Sequence, residues 1–309
     1  LTSIGETIST LVVKSELAKK GYTVETVTNA ELGILTDSHH QNATITTVEG
    51  KHILDKLKNA DIVICPGFQG YSQNGKITTL GRGGSDLSAV AIGVAIDANE
   101  VEIYSDVNGI YTADPRIVPD AKKLNYISYA EMLELSNNGA KVLNHRCVQL
   151  AAKHDIVIHA RSSFDESQGT YVLGDEKIMK DHLNQFIISG ITGSQNEARI
   201  TLVGVDAKIN GAGELFEKIS DANVNVNVFN QALVGGGRMD ISLIINDKDV
   251  PAVVEVINDL KDTLQAKKTI VRGNIGKVAV IGVGIKNNKG MFQKVYNTLM
   301  GHDINVEMT

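Results

Sequence analysis

Asp61-Ile62-Val63-Ile64-Cys65-Pro66-Gly67 is the stretch on which the fold turns. An unbroken apolar run without polar alternation, closed by a Pro-Gly turn, is the pattern of a short strand buried on both faces. Upstream of it, Ile53 to Asn59 has helical spacing; downstream, Ser85 to Asn99 is an Ala-rich helix that leads into a strand at Val101 to Ser105. Further out, Ile4 to Lys20 predicts an amphipathic helix stopped by Gly21, then a short strand from Tyr22 to Val27. On the other side come helices over Tyr129 to Leu135 and Val142 to Lys153, and a strand at Ile156-Val157-Ile158. Apolar strands alternating with helices predict an α/β fold, a mostly parallel sheet covered by helices. Ligands of such sheets sit beyond the carboxyl ends of the strands, so residues just after strands carry the chemistry.

After about residue 175 the pattern changes. Arg199 to Val205, a helix from Leu215 to Ala222 and Asn223-Val224-Asn225-Val226-Asn227-Val228 are echoed by Lys277 to Val283, a helix from Met291 to Met300 and Asp303 to Met308, about 80 residues further on. Between the copies, Met239 to Ile245 reads as a strand and Val250 to Leu260 as a helix. That succession is most of an α+β ferredoxin-like βαββαβ unit, with the second copy lacking its end. The expected division is residues 1–180 and 181–309. Periodic patterns cut at both termini suggest residues beyond both ends.

With 309 residues and 42% hydrophobic content, the chain can bury a sizeable core. Its 30 basic and 36 acidic residues give a net charge of -6 with no long block of one sign, which argues against nucleic-acid or membrane partners. Cys65 and Cys147 cannot form a disulfide framework, and no apolar stretch reaches spanning length, so a cytoplasmic location is expected.

The most specific local signal is Ile77-Thr78-Thr79-Leu80-Gly81-Arg82-Gly83-Gly84-Ser85-Asp86, which opens directly into the helix. Glycines before a helix start let an anion approach backbone N–H groups that the helix leaves unpaired. Arg82 can grip a carboxylate with two parallel bonds, and Ser85 and Asp86 occupy expected capping positions. A plain glycine-rich turn with an ordinary cap is the competing interpretation, at even weight for this motif alone.

A second polar loop, Tyr104-Ser105-Asp106-Val107-Asn108-Gly109-Ile110-Tyr111-Thr112-Ala113-Asp114-Pro115-Arg116, follows a strand, and its Asp106 and Arg116 could serve a nucleotide. Alternatively Asn108-Gly109 is a hairpin turn and Asp114-Pro115 a second turn. Lys141, after Gly139-Ala140 near a helix start, calls for an anion nearby, although a solvated lysine is commoner. His39-His40 lack the spacing of metal ligands and read as loop residues, and no metal-ligating set is expected.

Together, Thr79 to Asp86, Ser105 to Arg116 and Gly139-Ala140-Lys141-Val142-Leu143 resemble the aspartate kinases in identity, order and spacing. Ser3-Ile4-Gly5-Glu6, Glu31 to Asp37 and Pro66-Gly67-Phe68-Gln69-Gly70 extend the resemblance, and the duplicated region looks like tandem ACT domains. The resemblance implies the amino-acid kinase fold and formation of 4-phospho-L-aspartate from ATP and L-aspartate with Mg²⁺, ahead of lysine, threonine and methionine. Position by position, it places Glu6 at the substrate ammonium, Arg82 at its α-carboxylate, and Phe68, Ser85 and Asp86 around the same pocket. It places Gly83, Gly84, Ser105, Asp106, Tyr111, Arg116, Lys141 and Val142 at the nucleotide.

Asp206, Ala212 and Gln231 are, by the same resemblance, effector contacts for inhibitory lysine or threonine in a homo-oligomer paired through the ACT domains. The sequence departs from the family in lacking the N-terminal Lys-Phe-Gly-Gly-Thr segment, which implies that these residues alone are inactive. It also has Ser105 for Thr, Asn108 for Asp, and Asn144-His145 for His-Pro. Two alternatives stand beside this assignment: a kinase for another amino acid, and a non-catalytic effector-binding subunit.

Overall fold

A computed structural model describes residues 3–140, 142–181, 188–208, 211–285 and 288–309. In chain order the elements begin with α1 (Ile4–Lys19), β1 (Val24–Thr26), β2 (Ile34–Thr36), β3 (Ile45–Val48), α2 (Lys51–Leu57) and β4 (Ile62–Ile64). Then come β5 (Gln69–Ser72), β6 (Ile77–Thr79), α3 (Gly84–Ala95), β7 (Glu100–Ser105), β8 (Tyr126–Ser128), α4 (Tyr129–Asn137) and α5 (His145–His154). They continue with β9 (Val157–Ser162), β10 (Thr170–Leu173), α6 (Asp175–Asp181), β11 (Gly190–Asp206), α7 (Gly211–Asp221), β12 (Val228–Gly235) and β13 (Arg238–Asn246). The last are α8 (Val250–Asp259), α9 (Lys261–Leu264), β14 (Lys268–Ile281) and α10 (Met291–Met300).

The chain divides into two compact units, one of Leu1–Thr192 with Val280–Thr309, the other of Gly193–Ala279. In the larger unit β1 and β4 pair in parallel, as do β7 with β9 and β8 with β10. The antiparallel pairs β9–β10, β2–β3 and β5–β6 make the sheets mixed. Helices α3 and α5 pack on each other and on β7 and β9. The buried residues at this junction are Val90, Ala91, Cys147, Val148, Ala151, Val101, Ile103, Ile158 and Ala160. Burying each larger aliphatic side chain contributes about 1.5–3 kcal/mol. Contact between α3 and β7 is close enough that a Cβ on Gly93 would lie 2.4 Å from Val101 Cγ2, so only glycine fits there. This packing fixes where the carboxyl end of β7 and the amino end of α3 lie.

The smaller unit is a βαββαβ arrangement with strand order β12-β13-β11-β14, the ferredoxin-like order. Ile200, Leu202, Leu215, Ile219, Ile241, Leu243, Val253 and Ile257 form its core between sheet and helices.

Three local expectations fail. Asn223 to Asn227 are not strand; Val224 and Val226 pack on the core without a ladder partner, and β12 starts only at Val228. Asp303 to Met308 form no strand either, because alternation alone makes no ladder without an adjacent edge. Asn108-Gly109 is not a hairpin turn: Gly109 takes φ 112° and Ile110 N–H turns inward to donate to Thr170 Oγ1 at 2.8 Å. The turn at Asp114-Pro115 does form, with Ile117 N–H donating to Asp114 O at 2.9 Å.

Candidate active site

The glycine loop joins β6 to α3. Gly83 sits at φ 70° in the left-handed region and is the N-cap of α3, with no side chain capping the helix. Ser85 and Asp86 therefore lie in the first turn and not at the cap, which corrects the expectation. With the cap position given to a glycine, the first-turn N–H groups carry their partial positive charge toward the loop face. A Cβ on Gly83 would come within 2.6 Å of Asn144 Nδ2, and one on Gly84 within 2.8 Å of Leu80 Cβ, so neither position accepts a larger residue without rearrangement.

Arg82 and Ser85 are exposed, whereas Asp86 is half-buried. Burial holds the Asp86 carboxyl above its ordinary value, opposed in part by a hydrogen bond from the Asn144 backbone N–H. Phe68, at φ 68°, donates its N–H to Ser88 Oγ at 3.0 Å, and Ser88 Oγ in turn donates to Ser85 O at 2.8 Å. Ser88 thus locks the Pro66-Gly67-Phe68 turn to the helix start. Glu6 lies half-buried in the first turn of α1 and, among the described residues, makes no hydrogen bond or ion pair with the glycine loop.

Behind the loop stands a support that the sequence alone does not reveal. Asn144 caps α5 by accepting from Arg146 N–H at 2.8 Å, while its Nδ2 donates to Arg82 O at 2.6 Å. The Arg146 guanidinium donates to Leu80 O at 2.8 Å, Asn42 Oδ1 at 3.1 Å and Ala43 O at 2.6 Å. His39 and His40 are loop residues, as expected; Thr79 Oγ1 donates to His40 O at 2.7 Å, so their loop braces β6. Asp37 anchors the same loop through the N–H groups of His39 and Thr44, which pull its carboxyl down to about 2. An Asn just before a helix is a cap signal legible in sequence. The contacts of Ser88, Asn42 and Arg146 are long-range and have no such signal.

The second loop begins where β7 and β9 end side by side, Ser105 opposite Ser162. Ser105 Oγ accepts from Val107 N–H at 3.3 Å, which turns the chain and leaves Asp106 exposed. Tyr111 donates its hydroxyl to Asn108 Oδ1 at 3.1 Å. Arg116 is gripped by Asp114 through Nε at 3.0 Å and Nη2 at 2.8 Å, and that bond, with the charges of Asp114 and Asp106, raises its already high pKa. Val142 is half-buried, and Lys141 lies outside the described residues. The structure ties the first and third motifs together through Asn144; the second stands at the strand ends without a hydrogen bond to them among the described residues.

In the smaller unit Asp206 ends β11 and accepts from Lys208 N–H at 2.9 Å, Ala212 is in the first turn of α7, and Gln231 is exposed on β12 opposite Ile241. The segment 209–210 between the first two lies outside the described residues.

An uncapped helix start beside an exposed arginine, and a polar loop at the ends of parallel strands, are the features of a small-molecule phosphotransferase. Residues 1–162 match the model described as the amino acid kinase family, and the chain belongs to that family. Within it the chain falls among the aspartokinases, phosphotransferases with a carboxyl group as acceptor. It is 36% identical over 308 residues to an aspartokinase of Pseudomonas aeruginosa, covering 100% of this chain and 74% of the relative. The structure of E. coli aspartokinase III in complex with aspartate and ADP superposes with TM-score 0.80 at 25% identity, over 98% of this chain and 67% of that one. The same enzyme in complex with lysine and aspartate gives TM-score 0.73 at 25% identity, over 100% of this chain and 68% of that one.

Proposed function

We propose that the protein transfers the γ-phosphoryl group of ATP to the side-chain carboxylate of L-aspartate, supplying 4-phospho-L-aspartate for lysine, threonine and methionine synthesis under feedback control. The observation that carries this reading is the exposed Arg82 beside the uncapped first turn of α3. A guanidinium takes the α-carboxylate with two parallel bonds, and Phe68, Ser85 and Asp86 line the pocket, with Glu6 facing the ammonium. The acceptor is already an anionic nucleophile, so the chain has to supply position and charge neutralisation and no general base.

ATP is assigned to Gly83, Gly84, Ser105, Asp106, Tyr111, Arg116, Lys141 and Val142. The donor set suits a magnesium nucleotide: Mg²⁺ takes one or two carboxylates plus phosphate oxygens, and Asp106 is an exposed carboxylate at the strand ends. When bound, Mg²⁺ would offset charge on the phosphates. Residues 1–180 are assigned to catalysis and 181–309 to ACT-type regulation. Lysine or threonine would be held by Asp206, Ala212 and Gln231, in a homo-oligomer joined through the regulatory region. The bound lysine of aspartokinase III supports an amino-acid effector. No helix among the described residues is long and apolar enough to cross a membrane, in keeping with the cytoplasmic location we assign.

The test is ADP release from the full-length protein with Mg-ATP, comparing L-aspartate with other amino-acid acceptors, adding lysine and threonine, and repeating with Arg82→Lys. Aspartate-dependent turnover, suppressed by one effector, is expected. Arg82→Lys should lose one charge-assisted bond of about 1.5–3 kcal/mol, and so about 10- to 100-fold in kcat/KM for aspartate. Equal turnover with another acceptor, or tight effector binding without turnover, overturns the assignment.

A further inference from the structure

On the face of β7 and β9 turned away from α3 and α5, three side chains converge that the kinase chemistry does not use. Glu100 and Glu102 project from β7, and His159 lies opposite Glu102 on β9. Their ligand atoms all fall within 4.8 Å of one another. Glu100 and Glu102 are exposed, whereas His159 is 4% exposed.

The imidazole is fixed from two sides. Its ring stacks on Tyr171 with centroids 3.8 Å apart and planes 16° from parallel. Its Nε2 stands 2.5 Å from Gln168 O. A carbonyl oxygen can only accept, so Nε2 carries the hydrogen, and in the neutral ring Nδ1 presents a lone pair. That lone pair is buried, has no hydrogen-bond partner, and lies 3.3 Å from Glu102 Oε1. Two acceptors facing each other at that distance repel unless a positive group lies between them.

We infer that Glu100, Glu102 and His159 form a binding site for a divalent transition-metal cation. Metal–nitrogen and metal–oxygen bonds of about 2.0–2.2 Å at a tetrahedral centre set donor atoms a little over 3 Å apart, which matches the Nδ1–Oε1 separation. The surroundings have the form of an outer ligand shell. A metal-binding histidine ordinarily donates its other ring N–H to a backbone carbonyl, here Gln168 O, and binding carboxylates are themselves hydrogen-bonded. Glu102 Oε1 accepts from Arg161 Nη1 at 2.8 Å and Oε2 from the Tyr104 hydroxyl at 2.9 Å. Each carboxylate oxygen has a second lone pair, so these bonds orient Glu102 and leave Oε1 able to bind. Arg161 offsets one of the two negative charges, and a divalent ion more than neutralises the one that remains.

One imidazole with two carboxylates selects Zn²⁺, Co²⁺ or Mn²⁺ over Mg²⁺ and Ca²⁺, which prefer all-oxygen sites. Glu100 and Glu102 come from one strand and His159 from its neighbour, so the ion cross-links β7 to β9 below Ser105 and Ser162.

The experiment is thermal denaturation of chelator-stripped protein against increasing ZnCl₂, with MgCl₂ as the control, and Co²⁺ binding followed by visible absorption. The midpoint should rise with the logarithm of Zn²⁺ concentration and stay put in Mg²⁺. Glu100→Gln, an exposed change outside the Arg161 bond, should leave the metal-free midpoint unchanged and weaken Zn²⁺ binding at least as much as loss of an outer-shell partner, about 10- to 100-fold. His159→Gln should abolish the Co²⁺ band. No Zn²⁺-dependent rise, or equal binding by Glu100→Gln, which would put the ion on surface histidines, overturns the site.

Discussion

The side-chain amide of Asn144 donates a 2.6 Å hydrogen bond to the carbonyl oxygen of Arg82, joining the helix that follows the Gly139–Leu143 motif to the glycine loop. The same residue caps α5 and bonds Asp86 through its backbone N–H. One asparagine therefore sets the height of Arg82, the residue proposed to receive the substrate, and the start of the helix behind it. Asn144→Ala removes the cap and the tether together but keeps the backbone bond. It should cost about 1–2 kcal/mol in denaturant unfolding. If Arg82 holds the α-carboxylate as proposed, in substrate and transition state alike, KM for aspartate should rise with kcat little changed. Unchanged KM with lowered stability would confine Asn144 to capping.

Asp86 gives a pH signature. Burial raises its carboxyl above the ordinary 3.8. A carboxyl raised on folding binds its proton more tightly in the native state, so its stability contribution is greatest below 3.8 and is lost as pH climbs through that value to the folded one. Asp86→Asn removes the desolvated charge while keeping an acceptor for the Asn144 N–H. The variant should be more stable than wild type near neutral pH, the gain shrinking to nothing at about pH 3. If Asp86 lines the substrate pocket as proposed, aspartate turnover should fall at the same time, a trade of activity for stability. Denaturant midpoints at acid and neutral pH, read beside turnover, check both halves.

How far the sequence carried this picture depends on the reach of each interaction. The apolar run of β4 and the glycines before an Ala-rich helix are local signals, and both elements lie where the pattern put them. Strand β5 is different: Gln69 and Ser72 are buried polar residues, and Thr36 and Thr78 share a buried 2.6 Å hydroxyl contact between β2 and β6. No period-2 apolar pattern marks such strands, because side chains that hydrogen-bond across the fold, Gln69 with Asn29 and Thr36 with Thr78, stand where apolar ones would. The opposite error occurs at Asp303 to Met308, where alternation is present and a pairing edge is not. Arg82, Ser85 and Asp86 were readable as a motif, whereas the brace of Asn42 and Arg146 joins residues 104 positions apart and exists only in three dimensions.

Strand β12 lies at the edge of the small sheet and carries Phe229, Leu233 and Val234 at 42%, 78% and 55% exposure. An apolar edge strand with open backbone groups is a pairing surface. If the proposed homo-oligomer forms there, Leu233→Lys should weaken self-association about tenfold or more, in the range of a lost interface anchor. The fold itself should be untouched, since Leu233 faces solvent in the single chain. Sedimentation velocity across a concentration series checks this, and an unchanged distribution would place the interface elsewhere.

Glu131 is a carboxylate at 6% exposure that no cation balances among the described residues. It is satisfied by donors alone: Oε2 accepts from Ser128 N–H at 3.4 Å and from the Ser128 hydroxyl at 3.1 Å, and Oε1 from the Ser189 hydroxyl and from Val283 N–H at 3.2 Å. Ser189 immediately precedes β11 and Val283 follows the end of β14, so this one side chain pins both segments to the start of α4. Glutamine matches the shape but presents N–H₂ where one oxygen stood. Whichever way the amide turns, donors then face donors at two positions. Leaving buried donors unpaired costs about 1–3 kcal/mol each, so Glu131→Gln should destabilise the protein by about 2–5 kcal/mol despite removing a buried charge. Ser189→Ala, which deletes one donor and leaves the carboxylate three, should cost no more than about 1.5 kcal/mol. Denaturant unfolding of the two variants side by side tests the arrangement: comparable losses would mean that Glu131 is held by its charge and not by the count of its donors.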